Sequence, residues 1–159
     1  MFFIVVAPIA EELIFRLPLK VKRLNIFVAL VMAYGIFYLS HKSVATLFSL
    51  AEVLKAITFI LICLEILYCL KDEFFNAIST RYFSLYFYAL TITFGLLHVR
   101  NYIDLVPSNL VLLAPIFAIP QIIAGFFLGY FRLKRGLFWS ILLHAVINTP
   151  TTLFYFVKH

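Results

Sequence analysis

Long apolar runs dominate the chain, and the few polar residues that interrupt them mark out six helical segments. The first runs from about Met1 to Leu19 and ends at Lys20-Val21-Lys22-Arg23. Pro8 lies inside it and Pro18 near its end, which predicts a kink or a late helix start. The second, Leu24 to Leu39, is short and closes at His41-Lys42-Ser43. The third, Leu47 to Leu70, exceeds what a bilayer needs, so its early part with Glu52 and Lys55 is expected at the interface. Lys71 to Arg81 reads as a polar connection, and the aromatic cluster Tyr82 to Tyr88 as a headgroup anchor. A fourth span is expected from about Tyr86 to Asp104, with Arg81 to Leu85 at the interface and Arg100 paired with Asp104. The fifth, Asn109 to Phe131, holds Pro115, Pro120 and the small-xxx-small pair Gly125 and Gly129, read as a helix-packing spacing. The sixth, Leu137 to Phe156, carries His144, Asn148 and Pro150.

Composition turns these segments into membrane spans. Of 159 residues, 65% are hydrophobic and 13% charged, with a mean hydropathy of +1.08, against about 45–50% apolar and about 25% charged in a soluble chain. The expected fold is all-α: a polytopic integral membrane bundle of about six transmembrane helices, forming one domain over residues 1–159. The expected location is a membrane crossed several times, the plasma membrane for a bacterial protein. The net charge of +6 is scattered through short loops and forms no nucleic-acid footprint. Eight basic residues flank spans one, three and five on one side (Lys20, Lys22, Arg23, Lys71, Arg81, Arg132, Lys134, Arg135) and four lie on the other. The positive-inside rule then puts both termini outside the cytoplasm. Cys63 and Cys69 share one apolar run and make no disulfide framework.

Polar groups inside hydrocarbon are expensive, so the interruptions are where function is sought. Ala10-Glu11-Glu12-Leu13-Ile14-Phe15-Arg16 places two carboxylates and a guanidinium in the first span. On a helix Glu12 and Arg16 share a face and can pair, while Glu11 points about 100° away and stays free. Phe94 and His98 are four apart in the fourth span, and His144 and Asn148 four apart in the sixth. A carboxylate, two imidazoles and an amide around a wet cavity suit water-mediated hydrolysis of a carbonyl compound. No Gly-x-Ser-x-Gly elbow and no His-Glu-x-x-His occurs. Ser140, four residues before His144, imitates a serine–histidine pair and is read as coincidence.

The ordered set E-E-x-x-x-R, F-x-x-x-H and H-x-x-x-N resembles the CAAX protease and bacteriocin-processing (Abi) family of intramembrane proteases. That family includes the type II CAAX prenyl endopeptidases. The resemblance implies an all-helical membrane peptidase in which Glu11 and His98 activate water and His144 and Asn148 form the oxyanion hole. Glu12, Arg16 and Phe94 then support the site, with Phe94 packing above it. Two options stay open for the chemistry: Glu11, His98 and His144 as ligands of a divalent metal such as Zn2+, or the same residues as an acid–base and oxyanion set. Leu17 departs from the small residue the family usually carries after the arginine. The chain also starts almost at the first motif, without the N-terminal helices of longer members, and is expected to be a minimal or truncated core. The expected partners are a membrane-anchored protein or peptide substrate and the lipid bilayer, with no nucleic acid. Two other readings fit the same residues: a catalytically silent immunity or scaffold protein of this fold, and a small transporter or proton relay. Substrate identity and oligomeric state are not legible.

Overall fold

The computed structural model describes residues 2–101, 103 and 106–158, with side chains described for 6–39, 41–101, 103, 106–107 and 109–150. All regular structure among them is helical: α1 Phe2–Phe15, α2 Arg23–Phe37, α3 Val44–Leu47, α4 Leu50–Cys69, α5 Asp72–Ser79, α6 Phe83–Leu97, α7 Ile119–Lys134 and α8 Leu137–Lys158. Short 3₁₀ segments cover Leu17–Leu19, Leu39–His41, His98–Asn101 and Ser108–Ala118. The bundle centre is built by α1, α6, α7 and α8, with α2 packed on α1 and α4 on α2.

Local chemistry explains where these elements depart from the sequence pattern. α1 runs through Pro8, midway along its 14 residues, without a break in the helix, although proline supplies no N–H there. Lys71 to Arg81 is not an open connection but holds α5, whose first turn carries Asp72 and Glu73 at the positive end of the helix dipole. α5 turns by 86° from α4, so the two are one bent span or two separate elements. α6 starts three residues before Tyr86, since Tyr86 is already needed inside the helix. Its hydroxyl donates to the Pro18 carbonyl at 3.2 Å and docks α6 on the Leu17–Leu19 turn. The helix ends at Leu97 and tightens to a 3₁₀ turn through His98, so His98 is a C-cap and not a mid-helix residue. The expected Arg100–Asp104 pair lies outside the described residues.

The fifth span is composite. Pro115 and Pro120 each lack an N–H, so the Ser108–Ala118 stretch is 3₁₀ and passes into α7 at Ile119. Together they form Asn109–Lys134, the one helix among the described residues that meets the length and apolarity of a membrane crossing. Arg23–Phe37 and Leu137–Pro150 are apolar but shorter. Gly136, at φ +102°, supplies the left-handed residue that ends α7 and folds α8 back against it.

Burial is inverted relative to a soluble domain. Leu112 is 93% exposed and the outward faces carry Leu24, Leu50, Phe48 and Phe138, whereas Glu12, Arg16, Arg132, Ser140 and His144 are buried. Exposed apolar surface on this scale marks contact with lipid or another apolar partner. α6 and α7 approach closely at glycines. A Cβ on Gly129 would press on the Phe87 ring, and one on Gly95 would lie 2.9 Å from the Ile122 backbone nitrogen.

Candidate active site

The polar centre is assembled by α1, α6, α7 and α8. Phe94, 1% exposed, is its hub: Phe15 packs edge-on to it at 5.5 Å, and the His98 and His144 rings lie 4.7 and 5.7 Å away. The Arg16 guanidinium carbon sits 3.8 Å over the Phe94 ring, a cation–π contact that occupies the face of a buried charge. Arg16 also reaches Glu12 Oε1 through Nε at 3.5 Å and donates through Nη2 to the Gly125 carbonyl at 3.4 Å. Gly125 is needed there, since a Cβ would meet Arg16 Nη2, Thr91 and Phe94 at 3.1–3.2 Å.

Glu12 is fully buried and held from both oxygens. Oε1 accepts from His144 Nδ1 at 3.0 Å, and Ser140 Oγ bonds Oε2. Since a carboxylate only accepts, this contact puts the proton of His144 on Nδ1 and directs Nε2 away from Glu12. Nε2 instead faces Glu11 Oε2 at 3.5 Å. On the other side of Glu11, His98 donates from Nδ1 to the Phe94 carbonyl at 2.8 Å and turns its Nε2 to the same Glu11 oxygen at 3.7 Å. Glu11 Oε2 is buried and makes no hydrogen bond, although the side chain as a whole is 28% exposed. One carboxylate oxygen thus stands between two imidazole nitrogens, beyond direct hydrogen-bond length from each.

Of the residues singled out by sequence, Glu11, Glu12, Arg16, Phe94, His98 and His144 meet in this cluster. Asn148 follows His144 by one turn on α8 and is partly buried. The separation of Glu11 from His98 is well inside the 10 Å or so that one shared site allows. Among the described residues no group of three His, Cys, Asp or Glu side chains is placed to hold a metal ion. Contacts within Glu11, His98 and His144 run pairwise through Glu11 Oε2, while the opposite ring nitrogens bond Glu12 and the Phe94 carbonyl.

Two residues of the cluster were not found by sequence. Ser140 is fully buried and also bonds the Leu128 carbonyl at 2.9 Å. Its spacing to His144 was visible, but its partner is Glu12 and not the histidine. Arg132, buried on α7, donates through Nε to the Arg16 carbonyl at 3.0 Å and through Nη2 to the Leu17 carbonyl at 3.4 Å. It adds a second donor to carbonyls that already accept from the Leu19 and Lys20 N–H groups in the turn after α1. In the sequence it looks like one more loop-side cation.

No curated protein and no solved structure matches the chain. The family profile described as type II CAAX prenyl endopeptidase Rce1-like matches residues 1–150. That family is membrane-embedded and generally proteolytic. With its three motifs gathered on α1, α6 and α8 and its profile matched over nearly the whole length, this chain belongs to the Rce1-like type II CAAX prenyl endopeptidase family.

Proposed function

We propose that the protein is a multi-pass intramembrane endopeptidase that hydrolyses a peptide bond of a membrane-associated protein or peptide. In this reading all six apolar segments lie in the bilayer, the shorter ones crossing where it is locally thinned. The observation that carries the proposal is Glu11 Oε2, buried, without a hydrogen-bond partner, between the Nε2 atoms of His98 and His144.

A water held by Glu11 and His98 attacks the scissile carbonyl carbon, and one of its protons passes to Glu11. The carbonyl oxygen, now an oxyanion, accepts from the Asn148 amide and from His144. At rest His144 carries its proton on Nδ1 against Glu12, so its Nε2 donates to the oxyanion only once the proton taken from water has passed to it from Glu11, and the same proton returns through Glu11 on collapse. Collapse of the intermediate breaks the C–N bond, and the proton on Glu11 moves to the leaving nitrogen to give an amine and a carboxylic acid. No step requires a serine nucleophile, since Ser140 Oγ is turned to Glu12 and Leu128.

The test is cleavage of a membrane-presented peptide in proteoliposomes by wild type, Glu11→Gln and His144→Ala. Loss of cleavage in both variants, with the fold retained, is expected. Normal cleavage by both would overturn the assignment.

A further inference from the structure

Ser140 is the only hydroxyl placed on Glu12 among the described hydrogen bonds, and it lies on the same helix face as His144, one turn earlier. The two α8 side chains hold one α1 carboxylate from its two oxygens: Ser140 at Oε2 and His144 Nδ1 at Oε1. The serine also lies 2.9 Å from the Leu128 carbonyl of α7, so its single proton is shared between that oxygen and Glu12 Oε2. Serine in an apolar helix usually returns its proton to the carbonyl four residues before, which here would be Gly136. Ser140 does not. It reaches across to two other helices, and it is fully buried.

We infer that Ser140 is a positioning residue of the hydrolytic centre, acting through Glu12 to fix the tautomer and rotation of His144. With Oε2 held, the carboxylate plane cannot rotate, and Oε1 is aimed at Nδ1. The proton of the ring then stays on Nδ1, and Nε2 is presented to Glu11 and to the reacting carbonyl. Without the serine, Oε2 loses its partner and the carboxylate turns to recover one, from Arg16 or from His144 itself. The imidazole is left free to exchange tautomers. Partners of this kind, a carboxylate and its own support behind a working histidine, are typically worth about 10-fold to 100-fold when removed. The inference rests on the peptidase reading for its kinetic consequence, but its structural content is the state of one ring.

The experiment pairs kinetics with 15N NMR of the histidine rings in the full chain in nanodiscs. The chain has four histidines, and His144→Ala assigns the signal. Wild type is expected to show His144 protonated at Nδ1. Ser140→Ala, and the near-isosteric Ser140→Cys where the alanine variant does not fold, are expected to mix the tautomers. They should lower kcat by about 10-fold to 100-fold with KM unchanged, and Ser140→Thr, which keeps the hydroxyl, should restore both readouts. A folded Ser140→Ala or Ser140→Cys protein with the wild-type His144 spectrum overturns the inference, whatever its activity. Wild type that cleaves no peptide, with a His144 signal that still responds to Ser140→Ala, overturns the peptidase reading and supports the positioning role.

Discussion

Glu12 and Glu52 are both carboxylates with almost no solvent exposure on apolar helices, and the protein neutralises them in opposite ways. Glu52, on α4, takes two lysines on one oxygen: Lys55 one turn later at 2.8 Å and Lys42 from the Leu39–His41 turn at 3.3 Å. Both lysines are long, flexible and partly exposed, and aromatic rings of α2 and α4 stack beside them, Tyr34 on Phe59 at 4.3 Å and on Tyr38 at 5.0 Å. Glu12 takes an arginine, a histidine and a serine, drawn from its own helix and from α8. The first solution neutralises a charge and tolerates imprecision. The second holds a plane and a proton position, and it leaves the adjacent Glu11 oxygen facing two imidazoles. A buried carboxylate by itself is therefore no sign of chemistry; the rigidity and the proton inventory of its partners are.

The sharpest way to break this contrast is to neutralise each centre in turn. Glu11→Gln is expected to lower peptide cleavage by about 10²–10⁴-fold, the range for removing a general base. Glu52→Gln, which alters the lysine-bound centre, is expected to leave kcat at the wild-type value. Single-turnover cleavage of a peptide in proteoliposomes reads both. An equal loss in the two variants would erase the distinction drawn between the centres.

Much of the buried polar cluster was legible because hydrocarbon makes polar insertions conspicuous and helical spacing tells which share a face. Glu12 with Arg16, Phe94 with His98, and the reading of Gly125 and Gly129 as packing positions all follow from i,i+4 arithmetic. Relations across helices were not legible. Ser140 and Arg132 have partners 128 and 116 residues away in sequence, and no local spacing announces them. The bounds of α6, Phe83–Leu97, differ from the expected Tyr86 to Asp104 because helices that start at different levels need not bring their residues to one depth by equal lengths. His98 reaches Glu11 from a helix end, by a 3₁₀ turn. The number of spans is likewise a question of bilayer geometry: α1, α2 and α6, at 14, 15 and 15 residues, are helical and apolar but shorter than a bilayer of ordinary thickness requires.

Stability separates the centres next. Arg16→Met leaves Glu12 buried without its cation and is expected to cost about 3–5 kcal/mol, enough to lose folded protein in mild detergent. Pairing it with Glu12→Gln removes the stranded charge and should recover part of that loss in thermal unfolding. If the double variant is no better than the single one, the damage comes from the lost Phe94 and Gly125 contacts and not from charge. Glycines give the next smaller effect, with opposite signs in the two regions. Gly95→Ala forces a methyl to within 3.0 Å of the Ile122 backbone at the α6–α7 crossing and should cost about 1–3 kcal/mol. Gly35, beside Tyr34 on α2, has nothing within 4 Å of an added Cβ, so Gly35→Ala should stabilise by up to about 1 kcal/mol through helix propensity alone.

The smallest effect is expected at Lys55, and its size tests whether the Glu52 centre is as forgiving as its geometry implies. Lys55 is 57% exposed, so its ion pair is screened by solvent and opposed by the entropy of a long side chain. Lys42 remains on the same Glu52 oxygen when Lys55 is gone. Lys55→Met should therefore leave the unfolding temperature unchanged within error, and Lys42→Met should do the same. Only the pair together removes every cation from Glu52, and the double variant should unfold at a clearly lower temperature than the sum of the single shifts. Additive shifts would mean that each lysine acts alone, through its own contacts with Tyr38 and the surrounding helix ends. A large loss from Lys55→Met alone would show that this carboxylate too depends on one specific partner, and the contrast with Glu12 would reduce to a difference in depth.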